Sequence, residues 1–415
     1  MVTAACFLFF VVAGTGLPAA GTGAPSAGPA GVKQTALNAV PGPGKDRDIV
    51  LDESMKARTI GTLVDYLEDR DARLTIQDVS SPGLKRQFKK STTEFPNFGL
   101  TSSAYWVRFT FLNPKERALF FDLVVGYPLL DDIMLFVPDG SGGFRVKKTG
   151  DRYPFKEREL KHTNFVFPLV MEPGRTTCYL RVRTVSAMSI PLSIMSRAEL
   201  YRQTMTDNWV NGLFYGMLII MLVYNMFLFL SIRGKDYLFY SLYIASFLMA
   251  SVAIRGHGAQ YLWPGTPLLS DSSLYNYFFL SFYILFIREF MSTRLLSPLL
   301  DRASLAVAAV GAAGIVLNLI FVNSMKVMVL SIVMGFMTVL LTLFISGVGL
   351  YRKARQVNFF LASWVIIITG ILVYAFRAMG LIPMNVVTMS YFRFAMLGQI
   401  MIFSFGLADR INMMK

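Results

Sequence analysis

Residues 196–230 read "SRAELYRQTMTDNWVNGLFYGMLIIMLVYNMFLFL", and the change of texture inside that stretch decides the fold. Up to Asp207 the residues are those of a solvated helix; from Trp209 no charge follows until Arg233. At ~1.5 Å per residue that second part is long enough to cross a hydrocarbon layer ~30 Å thick. Neither Pro nor Gly interrupts residues 196–210, so the connector reads as a rigid helical rod feeding the first crossing, with Gly212 and Gly216 as its first flexible points. A rod in that position would carry a tilt or twist into the membrane, where a mere spacer would not.

Downstream the pattern repeats. Apolar runs lie near residues 209–231, 237–254, 272–291, 303–321, 327–350, 358–378 and 385–408, and "VNSMK" joins the fourth to the fifth as a tight hairpin. Residues 209–408 therefore read as an all-α seven-helix transmembrane domain, in keeping with 54% hydrophobic residues and a mean hydropathy of +0.50. The net charge of +14 forms no nucleic-acid footprint: after residue 207 there are 14 Lys and Arg against 5 Asp and Glu, and most of the bases sit between apolar runs. Arg233, Lys235, Arg288, Arg294, Arg302, Arg352, Lys353 and Arg355 fall on one set of connections, joined by Arg410 and Lys415, against only Arg255, Lys326 and Arg377 on the other. Basic loops stay inside, so the N-terminus is expected outside and the tail, residues 409–415, inside.

Upstream, residues 49–195 hold no run long enough to span. "YWVRFTFL" alternates, with Tyr105, Val107, Phe109 and Phe111 on one face and Trp106, Arg108 and Thr110 on the other. "LFFDLVVGY", "DIMLFV", "GFRVKKT", "NFVFPLV", "TCYLRVRTV" and "IPLSIM" continue the series between Asn-Pro, Pro-Asp-Gly and Glu-Pro-Gly turns, which indicates an all-β sandwich of jelly-roll type. Residues 1–20 read as a secretory leader lacking the usual basic start, and 21–48 as a Gly, Ala and Pro-rich linker. With Cys6 in the leader, Cys178 has no disulfide partner and reads as a small buried apolar residue.

Several stretches resemble the bacterial seven-transmembrane receptors with diverse intracellular signalling modules. They are "SSAYWVRFTFLNP", "GYPLLDDIMLF", "GDRYPFKEREL", "HTNFVFPL", "YLRVRTVSAMSIPLSI", "LFYGMLIIMLVYNMFLFLSIRGKDYLFYSLYIASF", "GHGAQYLWP" and "FSFGLADRIN". The resemblance implies an extracytoplasmic jelly-roll sensory domain similar to carbohydrate-binding modules, feeding seven helices. It also implies that the segment like "ADRIN" continues into a histidine kinase, cyclase or phosphatase module. Because the sequence stops at Lys415, a separate cytoplasmic signalling protein, a kinase or nucleotide cyclase, is the expected partner. The expected location is the bacterial inner membrane with the sandwich in the periplasm, and a homodimer is left open.

Alternation places Trp106 and Arg108 on one strand face and Tyr179, Arg181 and Arg183 on another. If the two strands are neighbours, an aromatic platform beside guanidinium groups would suit a small-molecule or glycan ligand. The plain alternative covers Trp106 with a loop and leaves the arginines solvated. Asp151, Arg152 and His162 lie in a charged segment that either closes over a ligand or merely caps the sandwich. Arg393, within the seventh run, either snorkels outward or pairs across helices with groups such as Tyr224 and Asn225, and Gln399, Asn225 and Asn318 are candidates for interhelical hydrogen bonds. No metal or cofactor site is expected, since His162 has no second His or Cys at ligand spacing. The two histidines, His162 and His257, and the lack of HExxH, GxSxG and P-loop patterns argue against an enzyme. The rival reading is a transporter or envelope-assembly subunit with a glycan-binding outer domain, for which inverted repeats or paired broken helices would be the sign.

Overall fold

The computed structural model describes residues 47–322, 324–378 and 386–414. The expected leader and nearly all of the linker lie outside them. Strands β1 (Ile49–Val50), β2 (Ala57–Thr59), β3 (Asp65–Asp69), β4 (Lys89–Lys90), β5 (Asn97–Leu100), β6 (Ala104–Asn113), β7 (Leu119–Val125), β8 (Asp132–Pro138), β9 (Phe144–Thr149), β10 (Phe165–Met171), β11 (Gly174–Arg183), β12 (Ala187–Ser189) and β13 (Leu192–Met195) build the outer domain. One sheet has the order β4-β3-β6-β11-β8-β9, with the short β1 added in parallel beside β6; its partner has the order β10-β7-β13-β2. Apart from β1, every pairing is antiparallel.

The period-two pattern explains the sandwich. Tyr105, Val107, Phe109 and Phe111 of β6 meet Phe121, Leu123 and Val125 of β7 and Phe165, Phe167 and Leu169 of β10 in one core. Cys178 lies fully buried among them, and burial pushes its thiol up to about 12. A polar anchor helps close the core: Asn113 Nδ2 donates to Met171 O and Arg117 O at 2.8 Å, tying the β6–β7 corner to β10.

After Ser196, which caps it through its side chain, helix α1 runs without interruption over Arg197–Ile232. Connector and first crossing are thus one element of 36 residues, about 54 Å long and nearly twice the hydrocarbon thickness. Neither Gly212 nor Gly216 breaks it. Helices α2 (Lys235–Ile254), α3 (Ser272–Phe290), α4 (Pro298–Ile320), α5 (Met325–Tyr351), α6 (Gln356–Ala378) and α7 (Val386–Met414) follow at the expected places. Six of the seven are long and apolar enough to cross a membrane; α3 is the exception. Its Ser, Tyr and Asn residues lower its hydropathy, yet it is packed between α2, α4 and α5 and buries Tyr275, Tyr277, Ser281 and Tyr283. The end contacts show that α3 runs alongside its antiparallel neighbour α4 over the same length. Arg288 Nη2 donates to Asp301 Oδ2 at 3.1 Å at one end, and Asn318 Nδ2 donates to Asp271 Oδ2 at 3.0 Å at the other.

Candidate functional site

β6 and β11 are direct neighbours, pairing Arg108 with Tyr179 and Trp106 with Arg181, as the aromatic-platform expectation required. The platform itself is covered. Residues 74–88 form two short helices, Ile76–Ser80 and Pro82–Lys85, laid over this face, and Leu67, Val79, Phe88, Phe136 and Tyr179 enclose Trp106 so that 1% of it is exposed. The covering segment had one sequence signature: Thr75 and Asp78 form a reciprocal capping box at the start of the first helix.

What remains open beside Trp106 is a cleft of about 440 Å³ with Thr110, Thr177, Phe144 and Tyr179 among its lining and with Asp65, Lys85 and Arg108 bordering it. Arg108 lies with its guanidinium 4.5 Å over the Phe88 ring, donating to Asp65 Oδ2 at 2.8 Å and to Lys85 O at 3.1 Å. Arg181 turns away, donating to Ala72 O at 3.2 Å and lying 3.5 Å from Asp132. Arg183 is not part of this cleft: opposite Asp132 in the β8 register, it lines a second one of about 170 Å³ with Arg152, Tyr153 and Met325 of α5. The five residues therefore divide into a covered core, an open cleft and a second rim. Sequence alternation cannot resolve that division, because all five satisfy the same period.

The Asp151–His162 segment is not free to close over a ligand; it packs against the membrane domain. Phe155 N–H donates to Pro264 O at 3.0 Å, and Gly256, at φ +76°, approaches so closely that a Cβ there would stand 2.9 Å from Thr163 O. Arg158 donates to His162 O at 2.8 Å and Thr163 O at 2.9 Å while stacked between Phe155 and Phe165, at 4.7 and 4.5 Å. Arg152 pairs with Asp131 at 3.3 Å. Burial and the neighbouring Asp131 charge push the Asp151 carboxyl well above the ordinary carboxylate range. Burial raises Asp131 too, so both carboxyls hold a proton more readily than solvated carboxylates do.

His162 ties this segment to α1. Its Nδ1 accepts from Asn164 N–H at 2.9 Å, so Nε2 carries the proton and donates to Thr204 Oγ1 at 2.9 Å; Thr204 in turn donates to Leu200 O at 2.6 Å. Burial holds the imidazole down to about 4. The sandwich grips α1 a second time where Arg197 meets the buried Asp122 at 2.7 Å.

Farther along α1, Arg393 of α7 donates to Asn211 Oδ1 and, at 2.7 Å, to Ser390 Oγ, with its guanidinium 5.7 Å from the Phe214 ring. The suggested partners Tyr224 and Asn225 are not its neighbours. Arg393 lies near the outer end of α7 and meets α1 at Asn211, whereas Asn225, fourteen positions on, donates to Ser404 Oγ at 3.2 Å and Tyr224 is exposed on the outside of the bundle. Gln399 accepts from Tyr243 at 3.3 Å, in a series where Tyr237 and Tyr240 of α2 donate to Leu407 O and Ile400 O of α7. Asn318 bonds Asp271 and Ser273. No group of His, Cys, Asp and Glu that could hold a metal ion is found among the described residues.

Two family models cover most of the chain. Residues 61–196 match the one described as 7TMR-DISM extracellular 2, and residues 207–410 the one described as 7TM diverse intracellular signalling. Comparison with curated proteins gives no match.

Proposed function

The chain belongs to the seven-transmembrane receptors with diverse intracellular signalling modules, a membrane receptor family with an extracellular N-terminal domain, and on that premise we propose how this receptor works. The sandwich takes a carbohydrate-like ligand in the cleft beside Tyr179 and Arg108, where a partly covered aromatic wall and a guanidinium held by Asp65 suit a sugar ring and its hydroxyls. Ligand binding biases the pose of the sandwich on α1, and α1 passes the bias to α7. The observation that carries this reading is that α1 is one unbroken helix gripped in turn by His162 of the sandwich and by Arg393 and Ser404 of α7. Coupling of about 1 to 3 kcal/mol along it would make a useful switch. The "ADRIN" turn at residues 408–412 delivers the output to a cytoplasmic kinase or nucleotide cyclase, with the protein in the bacterial inner membrane and this end in the cytoplasm. The basic connections, Arg233, Lys235, Arg352, Lys353 and Arg355 among them, support that orientation.

The test uses the full chain in nanodiscs with Met413→Cys as a reporter of whether two copies bring their ends together. Addition of cell-surface oligosaccharides should change the crosslinking yield, and Arg108→Ala should remove the response while the protein stays folded. A broad oligosaccharide set that leaves the yield untouched, or an Arg108→Ala protein that responds like the original, would rule out this ligand assignment.

A further inference from the structure

The junction between sandwich and helices holds hydrogen-bond donors without an acceptor among the described residues. A cleft of about 50 Å³ opens there, lined by Asp207, Asn208 and Asn211 of α1, by His162, and by Arg255 and His257 beyond the end of α2. The orientation of the Asn211 amide is fixed by its neighbour. Asn211 must turn its Oδ1 to Arg393, because a guanidinium only donates, so its NH₂ points elsewhere. The Tyr215 hydroxyl, which donates to Ser251 O at 3.5 Å, lies 3.2 Å from His257 Nδ1, and His257 Nε2 faces Asn208 Oδ1 at 3.5 Å, an arrangement that leaves the Asn208 NH₂ turned away from the ring. Neither amide nitrogen has an acceptor among the described residues, and no carboxylate there lies within ion-pair distance of Arg255 or Arg393.

The charges agree with the donors. Arg255 and Arg393 carry two positive charges close enough to disfavour each other, and among the described residues Asp207 supplies the one negative charge facing them. Both histidines are neutral, since burial holds each down to about 4. The cleft thus offers a guanidinium, two amide NH₂ groups and a net single positive charge, with room for one small group. Its depth is also informative. Trp209, the next residue along α1 from Asn208, is 80% exposed at the start of the apolar run, the position tryptophans take at the headgroup level of a bilayer.

We propose that this junction binds a phosphate-class oxyanion, with Arg255, Asn208 and Asn211 as its donors and Arg393 as the positioning residue that turns the Asn211 amide toward it. The bound oxyanion bridges the base of the sandwich, α1 and the α2 end, and so sets how firmly the outer domain is seated. This site goes beyond the glycan reading and does not depend on it.

The experiment takes the full chain in nanodiscs of phosphatidylcholine alone or mixed with phosphatidylglycerol. Tightly held lipid is counted by native mass spectrometry, and the unfolding midpoint is followed as inorganic phosphate is added. Retained phosphatidylglycerol identifies a lipid headgroup; a phosphate-dependent rise of the midpoint in phosphatidylcholine discs identifies a free anion. In whichever arm responds, Arg255→Gln should weaken binding roughly tenfold, the scale of one charge-assisted contact. Asp207→Asn should instead tighten it several-fold, because it removes the one opposing charge; a residue of merely structural importance would not give that sign. The proposal falls if neither arm responds, if Arg255→Gln binds as the original does, or if Asp207→Asn weakens binding, and the last variant decides the matter should Arg255→Gln not fold.

Discussion

Trp106 and Arg108 sit two residues apart on one strand face and do opposite things. Trp106 is held by packing alone: its ring lies 5.3 Å from Phe136, and its indole N–H is sealed without an acceptor. Trp106→Ala should therefore cost about 3 to 5 kcal/mol by leaving a cavity, lowering the unfolding midpoint, whereas Arg108→Ala, at a 22% exposed side chain, should cost only about 1 kcal/mol and act on ligand binding. Equal destabilisation by the two would show that the covering helices do not enclose Trp106. Alternation made both residues legible as one face; the cover was not, since it depends on residues 74–88 folding back across the sheet. His162 illustrates the same limit, because its partner Thr204 lies 42 positions later. Its pH behaviour follows from its environment. A histidine held at about 4 when folded, against 6.5 when unfolded, contributes stability that is complete above pH 6.5 and is lost as pH falls toward 4. At ~1.4 kcal/mol per unit, the loss approaches about 3 kcal/mol. The Asp131 and Asp151 carboxyls, raised by burial, act in the other direction, their contribution being lost as pH rises. Comparing the wild-type protein with His162→Gln isolates the histidine: the unfolding midpoint of the variant should fall less between pH 6.5 and 4, and parallel curves would refute the assignment.

Among the elements, α3 shows what a hydropathy reading catches and misses. The length of the run betrayed a crossing, but its polar residues place it below the apolarity of its neighbours, for they face protein and not lipid. Its fit against α4 is tight at Gly311, where a Cβ would meet Ser281, and at Gly314. A Cβ at Gly314 would stand 2.2 Å from the Tyr277 ring, which cannot swing aside without breaking the 2.7 Å bond from its hydroxyl to Val327 O. Gly314→Val should therefore destabilise the bundle by about 1 to 3 kcal/mol through overpacking, seen as a lower midpoint in nanodiscs. Gly212→Val on α1, where a Cβ would meet nothing within 4 Å, should change it little, and a reversal of that order would mean that the α3–α4 seam is not packed as described. The seven runs and the strand series were readable because each rests on a local period. Which helices touch was not, apart from the α4–α5 hairpin dictated by its short loop.

Across the whole molecule, the grips on α1 at the outer side have a counterpart at the opposite end of the bundle, which holds the last turns of α7. Arg410 meets Asp236 at 3.1 Å and donates to Glu289 O at 3.2 Å, Asp409 meets Arg355 at 2.7 Å, and Tyr237 donates to Leu407 O at 3.0 Å. α7 is thus restrained at both ends, near Arg393 by α1 and at the "ADRIN" turn by α2, α3 and the connection before α6. A restrained end can report a shift of α1 only if its restraints are weak enough to exchange. The Asp409–Arg355 pair, with the Arg355 side chain 60% exposed, is worth about 1 kcal/mol or less and meets that condition, while the Arg410–Asp236 pair is more deeply buried. Asp236→Asn and Arg410→Gln should each loosen the turn, giving faster hydrogen exchange at residues 407–412 and a stability loss of about 1 to 3 kcal/mol, the cost of unpairing a largely buried charged group. Reversing both charges together, Asp236→Arg with Arg410→Asp, should restore slow exchange, because the pair works by proximity of opposite charge. If the double reversal exchanges as fast as either single variant, the Glu289 carbonyl and Tyr237 would be the true restraints, and the ion pair would be incidental to holding the turn.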